Sequence, residues 1–328
     1  MKTVRLGTIG SGFIVRYILD NVVRTEGITL EAVYSRTEEK GNALAAAYGC
    51  GKVYTDMDDF LADENIDLVY IATPNLLHYE QAKKALLAGK HVLLEKPFTT
   101  KLEQARELAG IAREKDLILL EAAPTAYLPN LEILKEELEK IGRIKLVMSN
   151  FSQYSSRYDA VLRGEKPAIF DPEFAGGCLM DINFYNVLLN VMLFGKPKTA
   201  AYYANLYPGL CDTSGVMVMQ YDGFVSTNAG AKDTKGVNFF QIEGEEGYIY
   251  LEGSAGELRS VRTVRKNCDE TRNAQTDPDR WIYEVREVTR ILREGDQEAA
   301  ERRLERTLET VEVMESARKA AGIRYPGD

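Results

Sequence analysis

Two short segments of this 328-residue chain carry side chains able to stabilise or move charge. The first is Glu95-Lys96-Pro97, which closes an apolar stretch, His91 to Glu95, that reads as a buried strand. In an open α/β sheet the carboxyl ends of the strands face the ligand crevice. An ammonium placed there stabilises an oxyanion forming on a substrate. Glu95 suits the orientation of neighbouring groups better than proton transfer. The second segment holds Asp181 and Tyr185, four residues apart inside the apolar run Leu179 to Leu193. On a helix that spacing puts both on one face. A free phenol titrates near about 10. An ammonium such as that of Lys96, if the fold brings it close, favours the phenolate and brings proton exchange by Tyr185 toward neutrality, with Asp181 positioning Lys96 or Tyr185.

The chain also offers a place for a dinucleotide. Gly10-x-Gly12 follows the apolar stretch Thr3 to Ile9 and precedes a helical pattern. Glycine lets the backbone turn tightly and approach a pyrophosphate, whose charge rests at the helix N-terminus. Gly10, Gly12, Phe13 and Ile14 are the expected contacts, with Val15 where a small third residue would stand. At the end of the second strand an acidic residue would bind a ribose 2′-hydroxyl. Tyr34-Ser35-Arg36 stands there instead. A guanidinium and a hydroxyl suit a 2′-phosphate, so NADP(H) is preferred and NAD(H) remains possible. With such a cofactor the oxyanion at Lys96 becomes the alkoxide of a hydride transfer, and Glu95, Lys96 and Pro97 line the nicotinamide ribose.

The elements that hold these groups follow from the pattern. Strands at 3–9, 30–34, 67–72, 91–95 and 117–121 alternate with helices at 13–24, 37–48, 77–88 and 102–115. Strands alternating with helices of this length imply right-handed crossovers and a doubly wound sheet. The pattern changes near residue 125. A helix near 131–140 leads to strands near 145–151, then a long loop at 153–176 with two prolines, and the buried helix 179–193. A strand at 198–205 precedes two hairpins, one turning at Asp222-Gly223 and one spanning Gly244 to Gly247. Two helical runs at the end are divided by Gly295-Asp296. The expected fold is α/β: a doubly wound Rossmann domain at 1–123, then an α+β domain at 124–328 with a large, mainly antiparallel open sheet. The second domain serves substrate binding and oligomerisation. Its aromatics and arginines, Tyr127, Tyr154, Arg157, Tyr158 and Arg163, suit polyols and carboxylates.

Gly10-Ser11-Gly12, then Ala88 to Pro97, then Gly176-Gly177-Cys178-Leu179-Met180-Asp181-Ile182-Asn183-Phe184-Tyr185 come in an order and at spacings that resemble the Gfo/Idh/MocA family of nicotinamide-dependent oxidoreductases. The resemblance covers nearly the whole chain. It implies that the turn Thr73-Pro74-Asn75 lies against the cofactor and that His78 helps hold the cofactor side of the cleft. Much of the family carries a histidine acid/base four residues after the aspartate. Tyr185 occupies that position here, as tyrosine does in the dihydrodiol dehydrogenase-like branch. Ala126 stands where the family often has a basic residue, so no substrate class carries over from close relatives. Family members often pair through their second domains.

Composition narrows the partners. Lysine and arginine number 41 against 50 acidic residues, a formal charge of −9 that argues against nucleic acid. No run reaches the roughly 18 apolar residues of a membrane span, and no signal-peptide pattern opens the chain, so a cytoplasmic protein is expected. Four scattered cysteines and two histidines, His78 and the structural His91, offer no metal site. Val216-Met217-Val218-Met219 is apolar on both faces, and a sheet covered on one side would leave half of it in water. That predicts a homodimer, or a dimer of dimers, through the second domain's sheet. The expected activity is hydride transfer to or from a carbonyl/alcohol carbon of a sugar, polyol or related diol. The alternative is a non-catalytic nicotinamide sensor of the same fold.

Overall fold

The structure, a computed structural model, describes residues 3–328. It divides into two compact units, one of the described residues up to 123 with 279–308 and the other of 124–278 with 309–328. Residues 279–308, which the sequence alone places with the second domain, cluster with the first.

The first unit contains β1 (Val4–Ile9), α1 (Phe13–Val23), β2 (Ile28–Tyr34), α2 (Glu38–Ala47), β3 (Val53–Tyr54), α3 (Met57–Ala62), β4 (Leu68–Ile71), α4 (His78–Leu87), β5 (His91–Glu95), α5 (Leu102–Glu114) and β6 (Leu119–Ala122). The strands are parallel, in the order β3-β2-β1-β4-β5-β6. The order reverses between β1 and β4, and ligands bind at such a switch point. All four residues of β4, Leu68-Val69-Tyr70-Ile71, are buried, as a strand covered on both faces requires. The segment β3–α3 is not expected from the sequence: two residues give no periodicity to read. Its helix start is nonetheless encoded, since Asp56 accepts from the backbone N–H groups of Asp58 and Asp59.

The second unit begins with α6 (Asn130–Leu138), β7 (Ile144–Ser152), α7 (Tyr158–Leu162) and α8 (Phe184–Phe194). Then follow β8 (Thr199–Leu206), β9 (Asp212–Gln220), β10 (Val225–Ala231), β11 (Phe239–Gly244), β12 (Gly247–Glu252), β13 (Val261–Arg265) and β14 (Cys268–Arg272). These form one eight-stranded sheet in the order β14-β13-β12-β11-β7-β10-β9-β8, antiparallel except where β10 lies parallel to β7. Both expected hairpins are present. The hairpin β13–β14 is not expected, because Arg262, Arg265, Asp269 and Arg272 give these strands the composition of a loop. The stretch 153–176 is not one loop: it holds α7 and two short 3₁₀ turns, at Ala168–Phe170 and Pro172–Phe174. In β9 Met217 and Met219 are buried, whereas Val216 is 38% exposed, so the two apolar faces meet different surroundings.

Two helices close the chain, α9 (Trp281–Glu294) and α10 (Gln297–Ala320). Gly295 ends α9 in a left-handed conformation at φ 63°. Helix α9 packs on α1 and β1 in the first unit. Among the described residues one segment, Pro172–Phe194, is long and apolar enough to cross a membrane, and 78% of its apolar stretch is buried in the fold.

The core of the first unit contains three glutamates. Glu121 accepts hydrogen bonds from the Phe98 N–H at 3.0 Å and the Thr307 hydroxyl at 3.1 Å. Burial pushes its carboxyl up to about 8, and burial pushes that of Glu95 up to about 7. Glu284, on α9, has no hydrogen-bond partner for either oxygen among the described residues; burial and the charges of Glu95 and Glu121 raise it well above the ordinary range. An unfolded glutamate titrates near about 4.3. Between that pH and about 8 the folded chain holds more protons than the unfolded one, so stability falls as pH rises through this window. The limit is about 1.4 kcal/mol per pH unit for each group. Glu121→Gln imitates the protonated carboxyl and should flatten the decline in urea midpoint between pH 5 and 8. An unchanged slope would show that Glu121 is ionised in the fold.

Candidate active site

The dinucleotide turn has the geometry that a phosphate needs. Gly10 adopts φ +120°, and an added Cβ would run into the Ala72 carbonyl. The side of Gly12 is open, with nothing within 4 Å of where a Cβ would stand. No side chain caps α1, so its first N–H groups point outward from an unblocked helix start. Phe13 is 75% exposed and Ile14 half-buried, while Val15 is fully buried and fills the third position of the fingerprint without disturbing α1. These features fit a dinucleotide pyrophosphate.

At the end of β2, Ser35 is buried and its hydroxyl accepts from the Thr37 N–H at 3.4 Å. It shapes the turn more than it faces solvent. Arg36 is exposed and has no hydrogen-bond or ion-pair partner among the described residues. A guanidinium without an internal partner is ready for a phosphate.

The ends of β4 and β5 are tied together by one side chain. His78 opens α4, is fully buried, and sits 2.9 Å from the Thr73 carbonyl through Nε2 and 3.1 Å from the Pro97 carbonyl through Nδ1. Burial lowers its pKa, against the opposing pull of the backbone groups around it. The Thr73 hydroxyl donates to Gln81 at 2.6 Å, and Pro74 and Asn75 lead into a short 3₁₀ turn before α4. The Lys96–Pro97 peptide is cis. The Lys96 N–H donates to Glu95 at 3.2 Å, and the Tyr70 hydroxyl donates to the same carboxyl at 2.6 Å. Glu95 thus accepts hydrogen bonds from a backbone N–H and a phenol from a buried place.

In the second unit Asp181 lies in a wide π-type turn, Leu179–Asn183, that runs into α8. Such turns widen the helix by one residue and recur at functional sites. The turn is positioned by Asp212, a buried carboxylate that accepts from the Leu179 N–H at 2.7 Å and the Tyr202 hydroxyl at 2.6 Å. Burial raises Asp212 to about 6. Gly177, at φ +118°, lets the chain pass directly over it. Tyr185 is buried, its ring 6.0 Å from that of Phe151 and 5.5 Å from that of Phe184. Asp181 pairs with the Lys232 ammonium at the end of β10.

The expected substrate residues divide. Tyr154, 41% exposed, donates to Asp159 at 2.6 Å and meets Tyr158 edge-on at 6.0 Å. Tyr158 in turn packs against Phe170 and Tyr207. Lys232 lies 5.9 Å from the Phe170 ring, and its carbonyl accepts from the Ser155 N–H at 2.9 Å. Tyr154, Tyr158 and Asp181 are therefore joined through Lys232 and Phe170 in one patch. Arg157 is exposed at the start of α7. Arg163 is exposed and paired with Glu165, and Tyr127 is buried in a separate 3₁₀ turn at Pro124–Tyr127. Sequence reasoning misses Lys232 and Asp212: a lone lysine after a strand and a lone aspartate at the start of one look like surface residues.

Residues 4–122 match the oxidoreductase family with an NAD-binding Rossmann fold, and residues 135–250 match the GFO/IDH/MocA C-terminal domain. The chain is 34% identical over 325 residues to scyllo-inositol 2-dehydrogenase (NADP(+)) IolU of Bacillus subtilis, covering 99% of both. It is 26% identical to human trans-1,2-dihydrobenzene-1,2-diol dehydrogenase, covering 99% of this chain and 97% of that one. In fold it matches KijD10, a 3-ketoreductase from Actinomadura kijaniata solved with NADP and TDP-benzene, with a TM-score of 0.84 and 21% identity over 97% of this chain and 98% of that one. Two domain matches in sequence order and a whole-length relative at this identity establish that the chain belongs to the Gfo/Idh/MocA oxidoreductase family.

Proposed function

We propose that the chain is an NADP(H)-preferring dehydrogenase or reductase acting at a CH–OH or carbonyl carbon of a sugar, polyol or related diol. The observation that carries the reading is the tight turn at Gly10 and the open side of Gly12, with a guanidinium, Arg36, unpaired among the described residues, where a ribose-binding acid would stand. The names of the relatives support it: a scyllo-inositol and a dihydrobenzenediol dehydrogenase share the whole length of the chain. When bound, the nicotinamide supplies or accepts the hydride. The chain's own residues do the rest. The N-terminus of α1 holds the pyrophosphate, and Arg36 the 2′-phosphate. The Lys96 ammonium stabilises negative charge on the substrate oxygen. The Tyr185 phenol gives or takes the proton, and Asp181 is the orienting carboxylate.

We further propose a cytoplasmic homodimer or dimer of dimers joined through the second unit's sheet. The face opposite the buried methionines of β9 carries Val216, with Tyr203 of β8 and Ala229 of β10 paired to it on either side. Tyr203 is 68% exposed. A broad apolar surface of this kind is uncommon on a monomer, and a two-fold partner would cover it.

Three outcomes check these proposals. Arg36→Ala should weaken NADPH binding by about 1.5–3 kcal/mol, the range for a charge-assisted hydrogen bond, and leave NADH nearly unchanged in fluorescence titrations. Equal weakening of both would refute the phosphate assignment. Tyr185→Phe should retain the wild-type circular dichroism and NADPH affinity but lose about 10²–10⁴-fold in turnover, with Lys96→Met losing at least as much. Wild-type turnover by the phenylalanine variant would reduce Tyr185 to a packing residue. Light scattering at micromolar concentration should give at least twice the mass of one chain; a monomer mass sinks the assembly.

A further inference from the structure

We infer that Lys232 is a positioning residue for substrate recognition: its buried ammonium holds the Asp181 carboxylate from behind, so that Asp181 can accept hydrogen bonds from the hydroxyls of a polyol. This rests on the oxidoreductase reading above and adds to it a residue that no motif marks.

The side chain of Lys232 is only 5% exposed. Burying an ammonium costs several kcal/mol unless an opposite charge meets it in good geometry. Among the described residues the ion pair of Lys232 is with Asp181 alone. The neighbouring carboxylates are committed elsewhere. Asp233 accepts from the hydroxyls of Thr213 at 2.7 Å and Ser214 at 3.0 Å, and Asp212 accepts from Leu179 and Tyr202. Lys232 is itself fixed at both ends of its peptide. Its N–H donates to the Thr213 carbonyl at 2.8 Å, and its carbonyl holds Ser155. The Phe170 ring lies against the charged end. A rigid cation thus stands at the end of β10.

Asp181 differs from its partner in one respect: its side chain is 29% exposed. The carboxylate is anchored on a buried group and still open to solvent. An ionised carboxylate only accepts, so what it recognises is a donor such as a hydroxyl. The same patch presents the half-buried ring of Tyr158 and the exposed ring of Tyr154. Apolar ring faces beside a fixed acceptor suit a carbohydrate-like molecule, whose C–H faces and hydroxyls alternate. Fixing an acceptor before the substrate arrives removes the cost of ordering it on binding.

The test compares four proteins: Lys232→Met, Lys232→Arg, Asp181→Asn, and the double variant Lys232→Met with Asp181→Asn. The probes are scyllo-inositol and D-xylose, with NADP+ as oxidant and absorbance of the reduced nicotinamide as readout. NADPH affinity is measured separately by fluorescence. Lys232→Met and Asp181→Asn should each raise KM by about tenfold or more, with a smaller change in kcat and unchanged NADPH affinity. Lys232→Arg should recover most of the loss. The double variant, which leaves neither charge buried, should match Asp181→Asn within about threefold, because Lys232 acts only through Asp181. A double variant markedly worse than Asp181→Asn, or a Lys232→Met protein with wild-type KM, overturns the inference. A second readout needs no turnover. In a crystal structure of the Lys232→Met protein the Asp181 carboxylate should leave its wild-type place, and a carboxylate that stays put also overturns it. If the wild type oxidises no sugar or polyol, the activity proposal falls, while the crystal structure still decides the role of Lys232.

Discussion

The buried imidazole of His78 is the contact that fixes two neighbouring strand ends of the first unit. Parallel strands end in loops, and loops drift unless something fixes them. His78 faces the carbonyl of Thr73 after β4 and that of Pro97 after β5, so two adjacent strand ends share one anchor. Thr73 lies beside the glycine turn of β1 in the sheet order, and Pro97 follows Lys96, the proposed oxyanion stabiliser. One side chain therefore relates the place where a dinucleotide would lie to the place where charge would be stabilised. The three buried glutamates belong to the same region of the unit. Burial raises all three carboxyls above the ordinary carboxylate range, so their negative charge is weakened beside the strand ends.

The second unit fixes its groups differently. Its groups do not stand on adjacent strand ends of an all-parallel sheet. A widened helical turn carries Asp181, and a strand end carries Lys232. The turn keeps its place because Asp212 accepts the Leu179 N–H and because Gly177 and Gly230 allow close passage; a Cβ at Gly230 would press on Asn183 and Cys178. Small residues at these points are what permit a charged pair to form inside a mostly apolar layer.

Much of this was legible in the residues. The buried strands of the first sheet announce themselves as unbroken apolar runs, and Gly10, Gly12 and Arg36 have meanings that follow from backbone freedom and charge alone. Asp222-Gly223 marks its hairpin by turn chemistry. What escaped detection has physical reasons too. The strand Val53–Tyr54 is too short for a period, and the charged edge hairpin 261–272 hides its alternation under salt-bridging side chains such as Arg262 and Asp269. The partner of Asp181 could not be read because it is 51 residues away in sequence and is chosen by a parallel pairing of β10 with β7. Helix α9 reads correctly as a helix, but its allegiance depends on which surface is left bare, and no local pattern records that.

That allegiance has a consequence for how the protein is made. The first unit needs residues 279–308, yet the whole sheet of the second unit lies between them and residue 123. A ribosome finishes β6 long before it delivers α9. Until then α1 and β1 lack the helix that packs on them. The nascent chain cannot fold as two beads on a string, first one and then the other. Its middle portion is made while its beginning is still incomplete, and the late arrival of α9 and the first part of α10 completes the first unit.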